Sequence, residues 1–154
     1  MKRYYLGLNA DGPKISEALF KKGRASDFRE LSEFLAARYK GEAILAKNGR
    51  SALALILKAY LEPGDKVIVN GFTCYAVYEA VVAAGMAPVF VDINEKTLNF
   101  DAKTLEEPWK GAAVHANRIK GIIVQNSLGN PVDMEMVEKF AKKYGLLIFE
   151  DLAH

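Results

Sequence analysis

From Ser26 to Phe149, short apolar runs alternate with longer segments whose apolar residues recur at helical spacing. That rhythm is the signature of βαβ units, and it predicts an α/β domain on a mostly parallel sheet with flanking helices. Ser26 stands where it can cap a first helix running to Tyr39, because Phe28, Leu31, Leu35 and Tyr39 recur near the helical period and Gly41 follows. Ala43 to Lys47 then reads as a strand. Ser51 to Leu61 is rich in helix formers and apolar nearly all round, which predicts a helix lying on the sheet beneath other layers. Glu62-Pro63-Gly64-Asp65 is a turn, Lys66 to Asn70 a strand, Tyr75 to Ala84 a helix stopped by Gly85, and Pro88 to Ile93 another strand.

Asn94 to Arg118 is the most polar stretch and reads as a loop with one short helix near Asp101 to Glu106; His115, within it, reads as a solvated surface residue. Gly121 to Val124 predicts a fourth strand. Asp133 is placed to cap a helix with Val137, Phe140, Ala141 and Tyr144 facing inward, while Glu135 with Lys139 and Glu138 with Lys142 form outer pairs before Gly145 ends it. Leu146 to Phe149 is continuously apolar, as in strands covered on both faces. Residues 1–25 fit the scheme poorly and read as an N-terminal arm in which Ile15 to Lys22 forms a short helix.

Composition narrows the classes. At 154 residues and 51% hydrophobic, the chain suffices for one domain, or part of one, and is short for a two-domain enzyme. Its 21 basic and 19 acidic residues nearly balance, and the lysines are scattered along helical segments, so nucleic acid is not expected as a partner. One cysteine, Cys74, precludes an internal disulfide and fits a reducing compartment. No apolar run approaches the roughly 20 residues of a spanning helix, and Met1 to Asn9 lacks the apolar stretch of a secretory signal. A cytoplasmic protein that does not cross a membrane is the expectation.

In open parallel sheets, ligands gather beyond the carboxyl ends of the strands. Asn48-Gly49-Arg50-Ser51 joins a predicted strand to a helix there, offering close backbone approach, outward amides and a hydroxyl that suit a phosphate. A tight turn with a cap is the plainer reading of the same residues. Gly71-Phe72-Thr73-Cys74-Tyr75 holds the equivalent position after the next strand and presents aromatic faces on which a flat heteroaromatic ring could stack, although core packing explains Phe72 as simply. Cys74 reads as a small buried hydrophobe before it reads as a nucleophile. Asp151 is a carboxylate at a strand end, costly to bury unless a cation or donor meets it; it could hold a protonated ring nitrogen or cap a following helix. His154 could donate to a ring substituent. Asn126-Ser127-Leu128-Gly129-Asn130-Pro131 reads as a turn into the Asp133 helix. No G-x-G-x-x-G, no phosphate-loop motif and no zinc spacing of Cys and His is present, so no metal is expected.

Taken in order, Asn48-Gly49-Arg50-Ser51-Ala52-Leu53, Pro63-Gly64-Asp65-Lys66-Val67-Ile68-Val69, Phe72-Thr73-Cys74, Pro88-Val89-Phe90-Val91-Asp92-Ile93 and Glu150-Asp151-Leu152-Ala153-His154 resemble the DegT/DnrJ/StrS family. Its members are nucleotide-sugar aminotransferases of fold type I that depend on pyridoxal 5'-phosphate (PLP). The resemblance implies that residues 26–154 are the N-terminal portion of the PLP-binding large domain, an incomplete fold type I domain without its later strands and small C-terminal domain. It implies that Gly49, Arg50 and Ser51 lie at the cofactor phosphate, that Asp151 pairs with the pyridine nitrogen, and that His154 contacts the phenolic oxygen. The family's ring-stacking aromatic follows the Phe-Thr pair, where this chain has Cys74 and then Tyr75. The lysine that bonds the cofactor lies beyond the segment matching Asp151 to His154, so no catalytic residue is assigned here. A nucleotide-sugar substrate and an amino donor belong to the complete enzyme, and the chain alone is expected to be inactive and, with a sheet edge uncovered, to self-associate. A non-catalytic binding or regulatory module that retains the fold is the other reading.

Overall fold

Three strands carry almost unbroken apolar runs, Val67-Ile68-Val69, Gly121-Ile122-Ile123-Val124 and Leu147-Ile148-Phe149, and all of these residues but Leu147 are buried. Strands of that kind need cover on both faces, which parallel sheets flanked by helices supply. The computed structural model describes residues 3–6 (backbone only), 24–110 and 118–153. Its strands are β1 (Arg3–Leu6), β2 (Lys66–Asn70), β3 (Ala87–Val91), β4 (Ile119–Gln125) and β5 (Leu147–Asp151), in the order β1-β5-β4-β2-β3 with every pair parallel. The helices are α1 (Ala25–Tyr39), α2 (Gly49–Tyr60), α3 (Tyr75–Ala83), α4 (Ala102–Glu106) and α5 (Met134–Tyr144). The mostly parallel α/β class expected from the rhythm of the chain is the class observed.

Alternation along the strands divides the core into two layers. Val67, Val69, Ile123 and Phe149 meet Leu53 and Leu57 of α2 and Val77, Ala80 and Val81 of α3. Ile68, Ile122, Val124 and Ile148 meet Val137, Phe140 and Ala141 of α5, with Leu105 of α4. Local chemistry sets the ends: Asp133 accepts from the Met136 amide at 3.1 Å to open α5, and Gly145 closes it at φ 67°, as expected. The outer Glu135–Lys139 pair is present at 2.5 Å.

Several elements depart from the expected course. Ala43 to Lys47 is not a strand: the segment joins none of the sheet ladders, and Ile44 is 83% exposed. The first helix has its N-cap at Arg24, two residues before Ser26: the Asp27 carboxylate accepts from the Arg24 amide at 2.8 Å, and Ser26 falls inside the first turn. Its end is Lys40 in the left-handed region at φ 52°, not Gly41. Helix α2 is not beneath other layers, because only Leu53 and Leu57 are fully buried while Leu55 and Tyr60 are exposed. Residues 1–25 are not simply an arm, since Arg3–Leu6 pairs in register with Ile148–Asp151; the helix expected at Ile15 to Lys22 lies outside the described residues. Strand β4 runs on to Gln125 and β5 to Asp151, so both reach further toward their carboxyl ends than their apolar runs suggested.

A Cβ built on Gly121 would stand 2.8 Å from Phe149 Cε2, inside contact distance of a fully buried ring. Gly121→Ala is expected to destabilise the fold by about 1–3 kcal/mol through overpacking, seen as a lower urea midpoint; an unchanged midpoint would show that the ring gives way freely. A second test concerns pH. Glu106 accepts from Lys143 at 2.7 Å and Tyr144 at 2.5 Å, and these bonds hold its carboxyl below the ordinary glutamate range, while Glu106 raises Lys143. The depressed carboxyl contributes stability above the ordinary range that is lost as pH falls through the folded value; the raised lysine contributes stability at lower pH that is lost as pH rises past the lysine range. Glu106→Gln should therefore flatten the loss of stability on acidification, measured as urea midpoint against pH.

Candidate functional site

Parallel strands end together, so Asn70, Val91, Gln125 and Asp151 lie along one rim of the sheet. Helix α2 runs back to that rim. Its C-terminal neighbour Leu61 places Cδ1 3.5 Å from where a Gly121 Cβ would stand, near the start of β4. Twelve residues at 1.5 Å of rise carry the helix about 18 Å, which brings its N-terminus to the carboxyl ends of the strands. The residues singled out at the start of α2 open that helix, and Asp151 closes β5.

At the start of α2, Asn48 is extended and its Oδ1 accepts from the Ser51 amide at 2.8 Å, while its carbonyl takes the Ala52 amide at 3.0 Å. Helical geometry leaves the Gly49 and Arg50 amides without an intrahelical acceptor, and they point off the positive end of the helix. Among the described residues, nothing lies within 4 Å of where a Gly49 Cβ would be. The Arg50 guanidinium turns to Glu79 of α3 at 2.6 Å, and what Arg50 offers at the helix start is its backbone.

The loop after β2 is held by Asn70, buried to 1% exposure, which donates to the Leu98 carbonyl at 3.1 Å and Ser127 Oγ at 3.3 Å and accepts from the Phe72 amide at 2.7 Å. Gly71 is required by close approach: its amide donates to the Val91 carbonyl at 2.9 Å, and a Cβ there would stand 3.2 Å from the same oxygen. Two expectations fail here. Phe72 is not core but 52% exposed, and Cys74, expected to be buried, is exposed at the N-cap of α3. Tyr75 is exposed as well; its ring lies 5.4 Å from that of Tyr78, which stacks on Phe90 at 6.3 Å. A concavity of about 330 Å³ opens among Gly71, Thr73, Cys74, Tyr75, Tyr78 and Phe90.

Asp151 is partly buried and is met by donors: Oδ2 accepts from Gln125 Nε2 at 3.0 Å and Oδ1 from the Ala153 amide at 3.2 Å. Gln125 in turn accepts through Oε1 from the Thr73 hydroxyl. Thr73 lies in a segment that the sequence marks out for its hydroxyl, whereas Gln125 and Asn70 carry no such mark. A polar residue closing an apolar parallel strand was the available signal, and ending β4 at Val124 hid it. Asn126 to Pro131 forms the expected turn, in which Asn126 Oδ1 accepts from the Val132 amide at 3.2 Å and Leu128 sits exposed at φ 53°. His115 and His154 lie outside the described residues. A larger concavity of about 410 Å³ lies along α5, where Lys139 and Lys143 are already engaged by Glu135 and Glu106. Among the described residues, no helix is long and apolar enough to cross a membrane, and no three His, Cys, Asp or Glu side chains group as metal ligands.

The family model of the DegT/DnrJ/EryC1/StrS aminotransferase family matches residues 20–154. The chain is 37% identical over 124 residues to UDP-2-acetamido-2-deoxy-3-oxo-D-glucuronate aminotransferase of Pseudomonas aeruginosa, covering 80% of this chain and 32% of the relative. It is 37% identical over 133 residues to dTDP-3-amino-3,6-dideoxy-alpha-D-galactopyranose transaminase of Aneurinibacillus thermoaerophilus, covering 85% and 34%. The crystal structure of NtdA from Bacillus subtilis with bound cofactor PMP superposes with a TM-score of 0.71 at 26% identity, covering 89% of this chain and 31% of that one. The chain thus spans about a third of the length of the relatives it matches. An alanine in place of Asn48 would remove the cap of α2 and is expected to cost about 1 kcal/mol, read as a lower urea midpoint; no change would mean that another group caps the helix.

Proposed function

Because this chain belongs to the DegT/DnrJ/EryC1/StrS aminotransferase family, we propose that it is the N-terminal portion of the cofactor-binding large domain of a PLP-dependent enzyme that moves an amino group onto a keto sugar linked to a nucleotide. Two relatives carry names of that kind, one for a UDP sugar and one for a dTDP sugar, and a third was solved with PMP. The observations that support the reading are a helix start with two uncapped amides at Gly49 and Arg50 and a carboxylate held by two donors at the end of β5.

The residues present fit a phosphorylated pyridine. The amides of Gly49 and Arg50, with the Ser51 hydroxyl, would hold the phosphate at the positive end of α2. Asp151 keeps acceptor capacity beyond its bonds to Gln125 and Ala153, because a carboxylate offers about four lone-pair sites. Opposite charge favours the protonated form of a neighbouring base, so an ionised Asp151 beside the ring nitrogen would hold a proton there, less strongly where solvent screens the pair. Cys74 at the N-cap of α3 and Tyr75 at its first position, both exposed, would cover the ring. His154 is proposed, from the resemblance alone, to face the phenolic oxygen. PLP, when bound, supplies an electron sink. No lysine of this chain is proposed as its covalent partner, and turnover is assigned to a longer protein or to a second chain that brings the lysine.

Titrating the chain with PLP and following its absorbance tests the reading. Asp151→Asn is expected to weaken binding about tenfold or more, the usual consequence of losing a hydrogen bond to a charged group, and equal affinity would remove Asp151 from the site. Borohydride reduction of the PLP complex should leave the chain's lysines unmodified; stoichiometric labelling of one would refute the assignment of turnover elsewhere.

A further inference from the structure

We propose that Gln125 is a positioning residue, whose carboxamide, strung between the Thr73 hydroxyl and the Asp151 carboxylate, fixes the orientation in which Asp151 receives the ring nitrogen; this rests on the cofactor reading above. The three side chains form a hydrogen-bonded line across the carboxyl ends of β2, β4 and β5. Gln125 and Asp151 are register partners on adjacent strands, so their side chains leave the same face of the sheet.

The directions along this line are determined by chemistry. An ionised Asp151 only accepts, so the amide group facing it is the NH2, and Oε1 faces Thr73. Thr73 then has to donate, which commits its hydroxyl proton inward and leaves its lone pairs toward the rim. Gln125 is 4% exposed, and a buried carboxamide satisfied at both ends has one orientation. Two donors, Gln125 Nε2 from inside the sheet and the Ala153 amide from the chain beyond, pin the two carboxylate oxygens and so fix its plane. A free aspartate at a strand end would sample several rotamers, and the ring nitrogen would have to select among them.

The test is a cycle of variants in the full chain. Gln125→Met keeps the length of the side chain and removes the donor; it is expected to weaken PLP binding about tenfold. In an Asp151→Asn background the same change should have no further effect, since Gln125 acts only through that carboxylate. In the cofactor-free chain, Asp151→Asn should also shift the Gln125 side-chain amide pair in the ¹H–¹⁵N spectrum. Losses that add in the double variant, or a Gln125→Met chain with unchanged affinity, would overturn the proposal while leaving the cofactor reading in place. If Asp151→Asn itself left PLP binding unchanged, the cofactor reading would fall and this inference with it, whatever the amide pair did. If Gln125→Met loses its far-UV circular dichroism, Thr73→Val substitutes for it by cutting the outer end of the line. An affinity drop of about threefold that vanishes beside Asp151→Asn would support the relay, and one that persists would refute it.

Discussion

Burial of both faces of β2, β4 and β5 is the constraint from which the rest of this structure follows. Strands with no solvent face have to be apolar along their length, and covering them takes α2 and α3 on one side and α5 on the other. Crossover helices make the strands parallel, and parallel strands all end at the same rim. Only there does the apolar demand relax. Asn70, Gln125 and Asp151 are each the last residue of their strand, so the polar groups collect where the sheet stops needing hydrocarbon.

Polar groups at that depth persist because each has a partner. Asn70 bonds at both ends of its amide and ties the Phe72 loop to the turns at Leu98 and Ser127; Gln125 ties Thr73 to Asp151. Three separate loops are thereby registered against a single edge. A ligand meeting this rim would meet groups already ordered, and the entropy of ordering them is spent in folding. The outer surface contrasts with this. Phe72, Tyr75 and Phe90 stand exposed near the same edge, and α1 buries no residue fully, with Phe28 and Phe34 more than half exposed.

What could be read from the chain alone was decided by the range of the interactions involved. The Asp133 cap, the Gly145 stop, the β2 strand and the inward face of α5 are local, and periodicity with capping chemistry exposes them. Ala43 to Lys47 looked like a strand because β propensity is visible in sequence whereas a pairing partner is not. Arg3–Leu6 was missed for the opposite reason: four residues carry too little pattern, and β5 alone makes them a strand. Within the candidate site, Gly49 to Ser51 at a helix start and Asp151 at a strand end were legible as residue types. Gln125 was not, since its importance lies in contacts 52 residues back and 26 residues ahead.

The outer strand β3 has a further consequence. The Ala87 amide donates inward to the Asp65 carbonyl, and the Val91 carbonyl accepts from Gly71, so alternation turns the backbone of Pro88 away from β2. On that side proline offers no N–H. Another molecule laying an extended segment along β3 would find the ladder interrupted at its second position, which discourages the open-ended stacking that leads to fibrils. The proline ring thus leaves one outward rung of this border without a donor to offer a neighbouring strand.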